Sequence, residues 1–160
     1  FTHRAPGMAG AALENDQVFA GVIADGHHIH PAALRIAIKA KGADRIMLVT
    51  DAMATVGSDC SEFDLQGRRI RLSQGMLKDD TGTLAGSHLT MAGAFANAME
   101  QAGVSLDDAS RMVSATPAAF FGLGDRRGSV APGMQADLVA MDAAGRIVAS
   151  WIAGAMQRFD

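Results

Sequence analysis

Two apolar runs that stop abruptly on polar residues constrain this chain more than any other feature. Residues 18–24 read Val-Phe-Ala-Gly-Val-Ile-Ala and halt at Asp25-Gly26; residues 45–50 carry Ile46-Met47-Leu48-Val49 and halt at Asp51. Apolarity that is continuous, not alternating, suits strands buried on both faces, as in a parallel sheet. Between them, residues 31–41 open on Pro31, a good first helical residue, and close before Gly42. Leu34, Ala37, Ile38 and Lys41 share one face, with the Lys41 end free to extend outward. Strand, helix, strand in that order argues for an α/β fold with parallel strands.

The rest of the chain divides around that unit. Residues 62–78 change to short strands with turn candidates at Gln66-Gly67 and Gln74-Gly75, a β-hairpin insertion. Thr83 to Ser87 leads into a helix over 90–101, with Met91, Phe95, Ala98, Met99 and Ala102 at helical spacing and the Met-rich face in the core. A second helix follows the N-cap Ser105, with Leu106, Ala109, Met112 and Val113 inward; Thr116-Pro117 starts a third. The tail turns to β structure, with strands over 136–141 and 146–152. The expected division is 1–125 for the α/β part and 126–160 for the β part.

Bulk properties narrow the function classes. A net charge of -3 gives no basic footprint for nucleic acid, and no apolar run reaches membrane-span length. The start, Phe1-Thr2-His3-Arg4, does not look like a secretory leader. Cys60 is the single cysteine, so no internal disulfide forms and a reducing cytoplasm is expected. It reads as an inert thiol.

Position singles out the chemistry. In barrels of parallel strands, the carboxyl ends of the strands converge on one face, where the active site lies. Asp25-Gly26-His27-His28-Ile29-His30 follows the first run and Asp51 follows the second. By position alone, Asp51 fits proton transfer and a turn or cap equally well. The histidines fit a metal site or an ordinary surface loop.

Several runs resemble N-acetylglucosamine-6-phosphate deacetylases of the amidohydrolase superfamily. They are Gly21 to Pro31, Leu48 to Met53, Thr83 to Met91, Arg4-Ala5-Pro6-Gly7, Thr116-Pro117-Ala118 and Gly128 to Val139. The last is shared by many amidohydrolases; the Ala-Asp-Gly-x-His and Leu-Ala-Gly-Ser-x-Leu-Thr-Met runs are more specific. The resemblance implies the C-terminal portion of a (β/α)8 barrel plus part of a small β-sandwich. It implies removal of the acetyl group from N-acetylglucosamine 6-phosphate, with Asp51 as general base and then acid. It implies substrate contacts from Asp25, Gly26, His27, His28, Leu84, Ala85 and Gly86, and phosphate binding by Arg4 across a homodimer interface. It implies a divalent metal, zinc first, with iron, cobalt or manganese as alternatives, and His3 among its ligands.

The pattern departs from the family in two places. Residues that help hold the sugar phosphate usually separate the Thr-His pair from Arg-x-Pro-Gly, whereas His3 is followed directly by Arg4. The glutamate and second histidine that the family adds as metal ligands are absent. A catalytic zinc site typically needs three protein ligands, so these 160 residues are expected to be inactive alone. Another amidohydrolase activity, on a cyclic amide or a different N-acyl amino sugar, and a non-catalytic fragment are the alternatives.

Overall fold

A computed structural model describes residues 4–159. The helix α1 (Gly7–Glu14) leads to β1 (Ala20–Ile23), α2 (Pro31–Lys41) and β2 (Ile46–Val49). The two strands pair in parallel, Ala20 with Ile46 through Ile23 with Val49, as the apolar runs require. Residues 18–24 and 45–50 are each trimmed at the ends. Pro31 begins α2, the His30 ring accepts from the Ala32 amide, and the Gly42 amide closes on the Ile38 carbonyl. Ala24, Leu34, Ile46 and Leu48 are buried together, and each large aliphatic side chain so buried contributes about 1.5–3 kcal/mol.

One residue of that helix departs from expectation. Lys41 does not extend outward; it is buried and its ammonium donates to the Asn15 carbonyl. The α1 segment curls back beside α2, and its C-terminal turn supplies an acceptor that makes inward burial of the amine tolerable.

The insertion is larger than two hairpins. Strands β3 (Glu62–Leu65), β4 (Arg68–Ser73), β5 (Met76–Asp79) and β6 (Leu84–Ser87) form one antiparallel sheet in chain order. Gln66-Gly67 and Gln74-Gly75 have positive φ at both positions, the geometry that two-residue hairpin turns need. Ile70, Leu77 and Ala85 make a second small core under this sheet. The expected lead-in to the next helix is therefore itself a strand, β6.

Helix α3 (Met91–Ala102) is capped by the Thr90 hydroxyl on the Gly93 amide and ends on left-handed Gly103. Its buried face is Ala94 and Ala98, while Met91 is exposed, so the closest approach to the core is through small residues and not methionines. Helix α4 (Leu106–Ser110) starts at Ser105 as expected and runs into a π-helical turn, Arg111–Ala115, then α5 (Thr116–Phe120). Ala109 and Met112 face inward, but Leu106 is exposed, because it is the first residue beyond the cap and projects from the helix end.

The tail forms a three-stranded antiparallel sheet: β7 (Leu138–Met141), β8 (Ile147–Ile152) and β9 (Ala155–Arg158). The architecture is mixed α/β, and among the described residues β1 and β2 are the only two strands that pair with each other in parallel, so no barrel closes.

Candidate active site

Parallel pairing sends the segments after β1 and β2 out on the same side. Ile23 is in register with Val49, so Asp25 and Asp51 each lie two residues beyond neighbouring strand ends. Adjacent strands are spaced about 4.8 Å apart, which makes these loops neighbours at their roots.

The β1 loop is organised around Asp25. Its Oδ1 accepts the backbone amides of His27 and His28, each at 2.9 Å, and its Oδ2 lies 2.7 Å from Nδ1 of His28. Burial alone would push the Asp25 carboxyl up. Hydrogen bonds from the His28 amide, the His28 ring and the His27 amide outweigh burial and hold it below the ordinary carboxylate value. The loop's root is braced by α3, where Asn97 donates to the Ala24 carbonyl at 2.8 Å. Gly26 sits over Gln101 with φ +75.

Asp51 is built differently. It has φ 52, in the left-handed region that few non-glycine residues enter, and its side chain is exposed. Among the described residues its carboxylate accepts no hydrogen bond and joins no ion pair. Its backbone is held instead: the Ser87 amide donates to the Asp51 carbonyl at 2.8 Å, and the Met53 amide donates to the Ser87 carbonyl at 3.1 Å. Ala52 and Ser87 form a parallel bridge. The end of β6 thus lies against the Asp51 turn, and the structure brings Gly86 and Ser87 to Asp51, with Leu84 and Ala85 further back on the same strand.

Gly86 is the tight point. A Cβ there would stand 2.3 Å from Met53 Cγ, 2.8 Å from Met53 Sδ and 3.2 Å from the Asp51 carbonyl oxygen, at φ +78. Gly86→Ala is expected to lose about 2–4 kcal/mol, from left-handed strain and overpacking together. Denaturant unfolding measures it. Trimming the neighbour with Met53→Ala should recover the packing part, and a Gly86→Ala variant as stable as the parent would mean the contact is soft.

Arg4 is exposed ahead of α1 and makes no hydrogen bond or ion pair with these loops. His3, the expected metal ligand, lies outside the described residues. Among the described residues no three His, Cys, Asp or Glu side chains gather to hold a metal ion, so the described residues by themselves do not fit one. His30 is spent as the α2 cap.

Two neighbours escaped sequence reasoning. The turn of the β4–β5 hairpin reaches the β1 loop, with the Cβ position of Gly75 3.8 Å from Nε2 of His27. His88, next to Ser87, has Nδ1 2.9 Å from the hydroxyl of buried Thr55. Neither contact has a local sequence pattern, since each joins segments more than thirty residues apart. A cleft of about 420 Å³ between α3, the π turn and β7–β8 is lined by Phe95, Val113, Val130 and Val139 and includes none of the expected site residues.

Polar groups gathered beyond the carboxyl ends of parallel strands define a class, the α/β proteins that keep their working residues in strand-end loops. A sequence model of the amidohydrolase family matches residues 10–158, and the chain belongs to that family. It is 44% identical over 155 residues to the N-acetylgalactosamine-6-phosphate deacetylase of Shewanella sp. (strain ANA-3), covering 96% of this chain and 39% of that protein. It is 37% identical to the putative N-acetylgalactosamine-6-phosphate deacetylase of Escherichia coli (strain K12), covering 98% of this chain and 93% of that protein. The crystal structure of N-acetylglucosamine-6-phosphate deacetylase from Pasteurella multocida superposes with a TM-score of 0.95 at 32% identity, over 99% of this chain and 41% of that one. The chain therefore spans about two fifths of the Shewanella and Pasteurella proteins and nearly all of the Escherichia coli one.

Proposed function

We propose that the polypeptide carrying this chain hydrolyses the N-acetyl group of an N-acetylhexosamine 6-phosphate, either N-acetylglucosamine 6-phosphate or its galacto epimer. The products are acetate and the free amino sugar phosphate. The observation that carries the reading is Asp51: a left-handed aspartate at a strand end, tied by its backbone to β6, with its carboxylate exposed and unpaired among the described residues. Such a group is available to a substrate, whereas a structural turn aspartate spends its oxygens on nearby amides, as Asp25 does.

In this reading Asp51 takes a proton from the attacking water and returns it to the nitrogen as the C–N bond breaks. His28 and the Gly26-His27 backbone face the sugar from one side, and Leu84, Ala85 and Gly86 from the other. Arg4 offers planar paired donors for the phosphate. Its exposure, and its lack of an ion pair among the described residues, suit service to a second copy in a homodimer. The β1–α2–β2 unit belongs to a (β/α)8 barrel and the β7–β9 sheet to a β-sandwich. A divalent ion, zinc first, enters only as something that His3 and donors beyond the described residues would hold. No described helix is long and apolar enough to cross a membrane.

The reading is tested by acetate release from both epimers, each with and without the 6-phosphate, in the zinc-supplied polypeptide. Turnover is expected to require the phosphate. The two relatives named for the galacto epimer make that sugar the more informative first substrate. Equal turnover of the unphosphorylated sugars, or none of any, would sink the proposal.

A further inference from the structure

The β1 loop contains a carboxylate that the proton chemistry of Asp51 does not use. Asp25 keeps 10% of its side-chain surface exposed and has three bonds to its own loop, two from amides to Oδ1 and one between Oδ2 and the His28 ring. An ionised carboxylate only accepts, so the hydrogen between Oδ2 and Nδ1 sits on the ring. The two amide bonds, and the low carboxyl they help to hold, keep Asp25 in that accepting form. A neutral imidazole with its hydrogen on Nδ1 presents a lone pair at Nε2.

We propose that Asp25 is a positioning residue: it fixes the His28 ring with Nδ1 protonated, so that Nε2 accepts a hydrogen bond from a hydroxyl or N–H of the sugar substrate. This deepens the deacetylase reading and rests on it for the identity of the substrate. Its content is a specificity rule. A neutral Nε2 acceptor selects donor groups of the sugar and offers nothing to a carbonyl or phosphate oxygen. The geometry is anchored independently from below, since Asn97 holds the Ala24 carbonyl at the root of the loop. The ring keeps 21% of its side-chain surface open to meet a ligand.

The test begins without substrate. Nitrogen-15 NMR of the histidine rings in the polypeptide should show His28 in the Nδ1–H form. The Nε2–H form in the unmodified protein overturns the proposal, whatever the activity. Asp25→Asn keeps an oxygen for the two amides but turns an N–H toward Nδ1, so His28 should switch to Nε2–H. An analogous aspartate-to-asparagine exchange next to the serine-protease histidine leaves geometry intact and imposes the wrong tautomer.

With substrate, Asp25→Asn should raise KM about tenfold, the scale of one hydrogen bond, and change kcat much less. On a His28→Asn background, which keeps a donor to Asp25 but has no Nε2, Asp25→Asn should add nothing. A full, additive loss there would show that Asp25 acts other than through His28 and would overturn the proposal. If acetate release fails while the Nδ1–H form is found, the deacetylase reading falls and the positioning role stands.

Discussion

Asp51→Asn is expected to lower kcat for acetate release by about 10²–10⁴-fold, the usual worth of a positioned general base, while leaving the unfolding midpoint unchanged. The substitution separates chemistry from fold unusually well at this site. Asparagine matches aspartate in shape and, with it, enters the left-handed region more readily than other side chains, so φ 52 is no obstacle. Among the described residues the carboxylate holds no partner, so losing its charge breaks no bond there. The bond that does matter to the fold, from the Ser87 amide to the Asp51 carbonyl, belongs to the backbone and survives. Asp51→Ala serves as the contrast: it removes the base but also adds about 1–2 kcal/mol of left-handed strain. Steady-state kinetics beside thermal melts decide the matter. A loss below tenfold in Asp51→Asn would remove Asp51 from the base's role, and a lowered melting point would mean the carboxylate has a structural partner.

That prediction could be framed from sequence because the information lay in the polarity of the strand ends. The apolar runs within 18–24 and 45–50 marked the parallel strands, and the abrupt stops at Asp25 and Asp51 placed both residues beyond the same ends; burial on both faces did not follow, since β2 buries only Ile46 and Leu48 and β1 buries none of its four residues. Gln66-Gly67 and Gln74-Gly75 were equally legible, since a positive φ at both turn positions is a local demand that glycine advertises. Ala153-Gly154 makes the same turn between β8 and β9 but carries alanine first, and the short, exposed β9 it introduces has no apolar alternation to betray it. Leu84–Ser87 was visible as a motif and invisible as a strand, because what makes it one is pairing with β5 and the bridge to Ala52. Lys41 lay on the inner helix face in the pattern, but its buried ammonium depends on a carbonyl from Asn15, which only the folded chain brings near. Readings that rest on turn sterics hold, helical periodicity holds for Ala98, Ala109 and Met112 but not for Met91 and Leu106, and those that need a partner far along the chain do not. The roles proposed for Arg4, His28 and the β6 end have the same character, since each would depend on a substrate or a second copy and not on this chain's own contacts.

Gly128→Ala is expected to have the largest effect on stability, about 2–5 kcal/mol, from left-handed strain of about 1–2 and overpacking of about 1–3 kcal/mol. At φ +95, a Cβ on Gly128 would stand 2.7 Å from Ala118 Cβ, 3.0 Å from Ala115 Cα and 3.0 Å from the Ser114 carbonyl oxygen. Two of those three atoms are backbone of the π turn, and the third is a methyl with no torsion to turn aside, so nothing nearby can yield as Met53 can at Gly86. Gly133→Ala is the matched control: its φ is +86 and nothing lies within 4 Å of its Cβ, so it should show the strain alone. The difference between the two variants, read by urea unfolding, isolates the packing part. Domains of this size have stabilities of about 5–15 kcal/mol, so the Gly128 variant should lose a large share of its folded margin. The location gives the number its meaning. Gly128 lies where the chain leaves α5 and heads for the β7–β9 sheet, against helices whose π turn contacts β2. Equal losses in the two variants would show that this passage is loosely packed and that the tail sheet is not anchored to the site-bearing strands through Gly128.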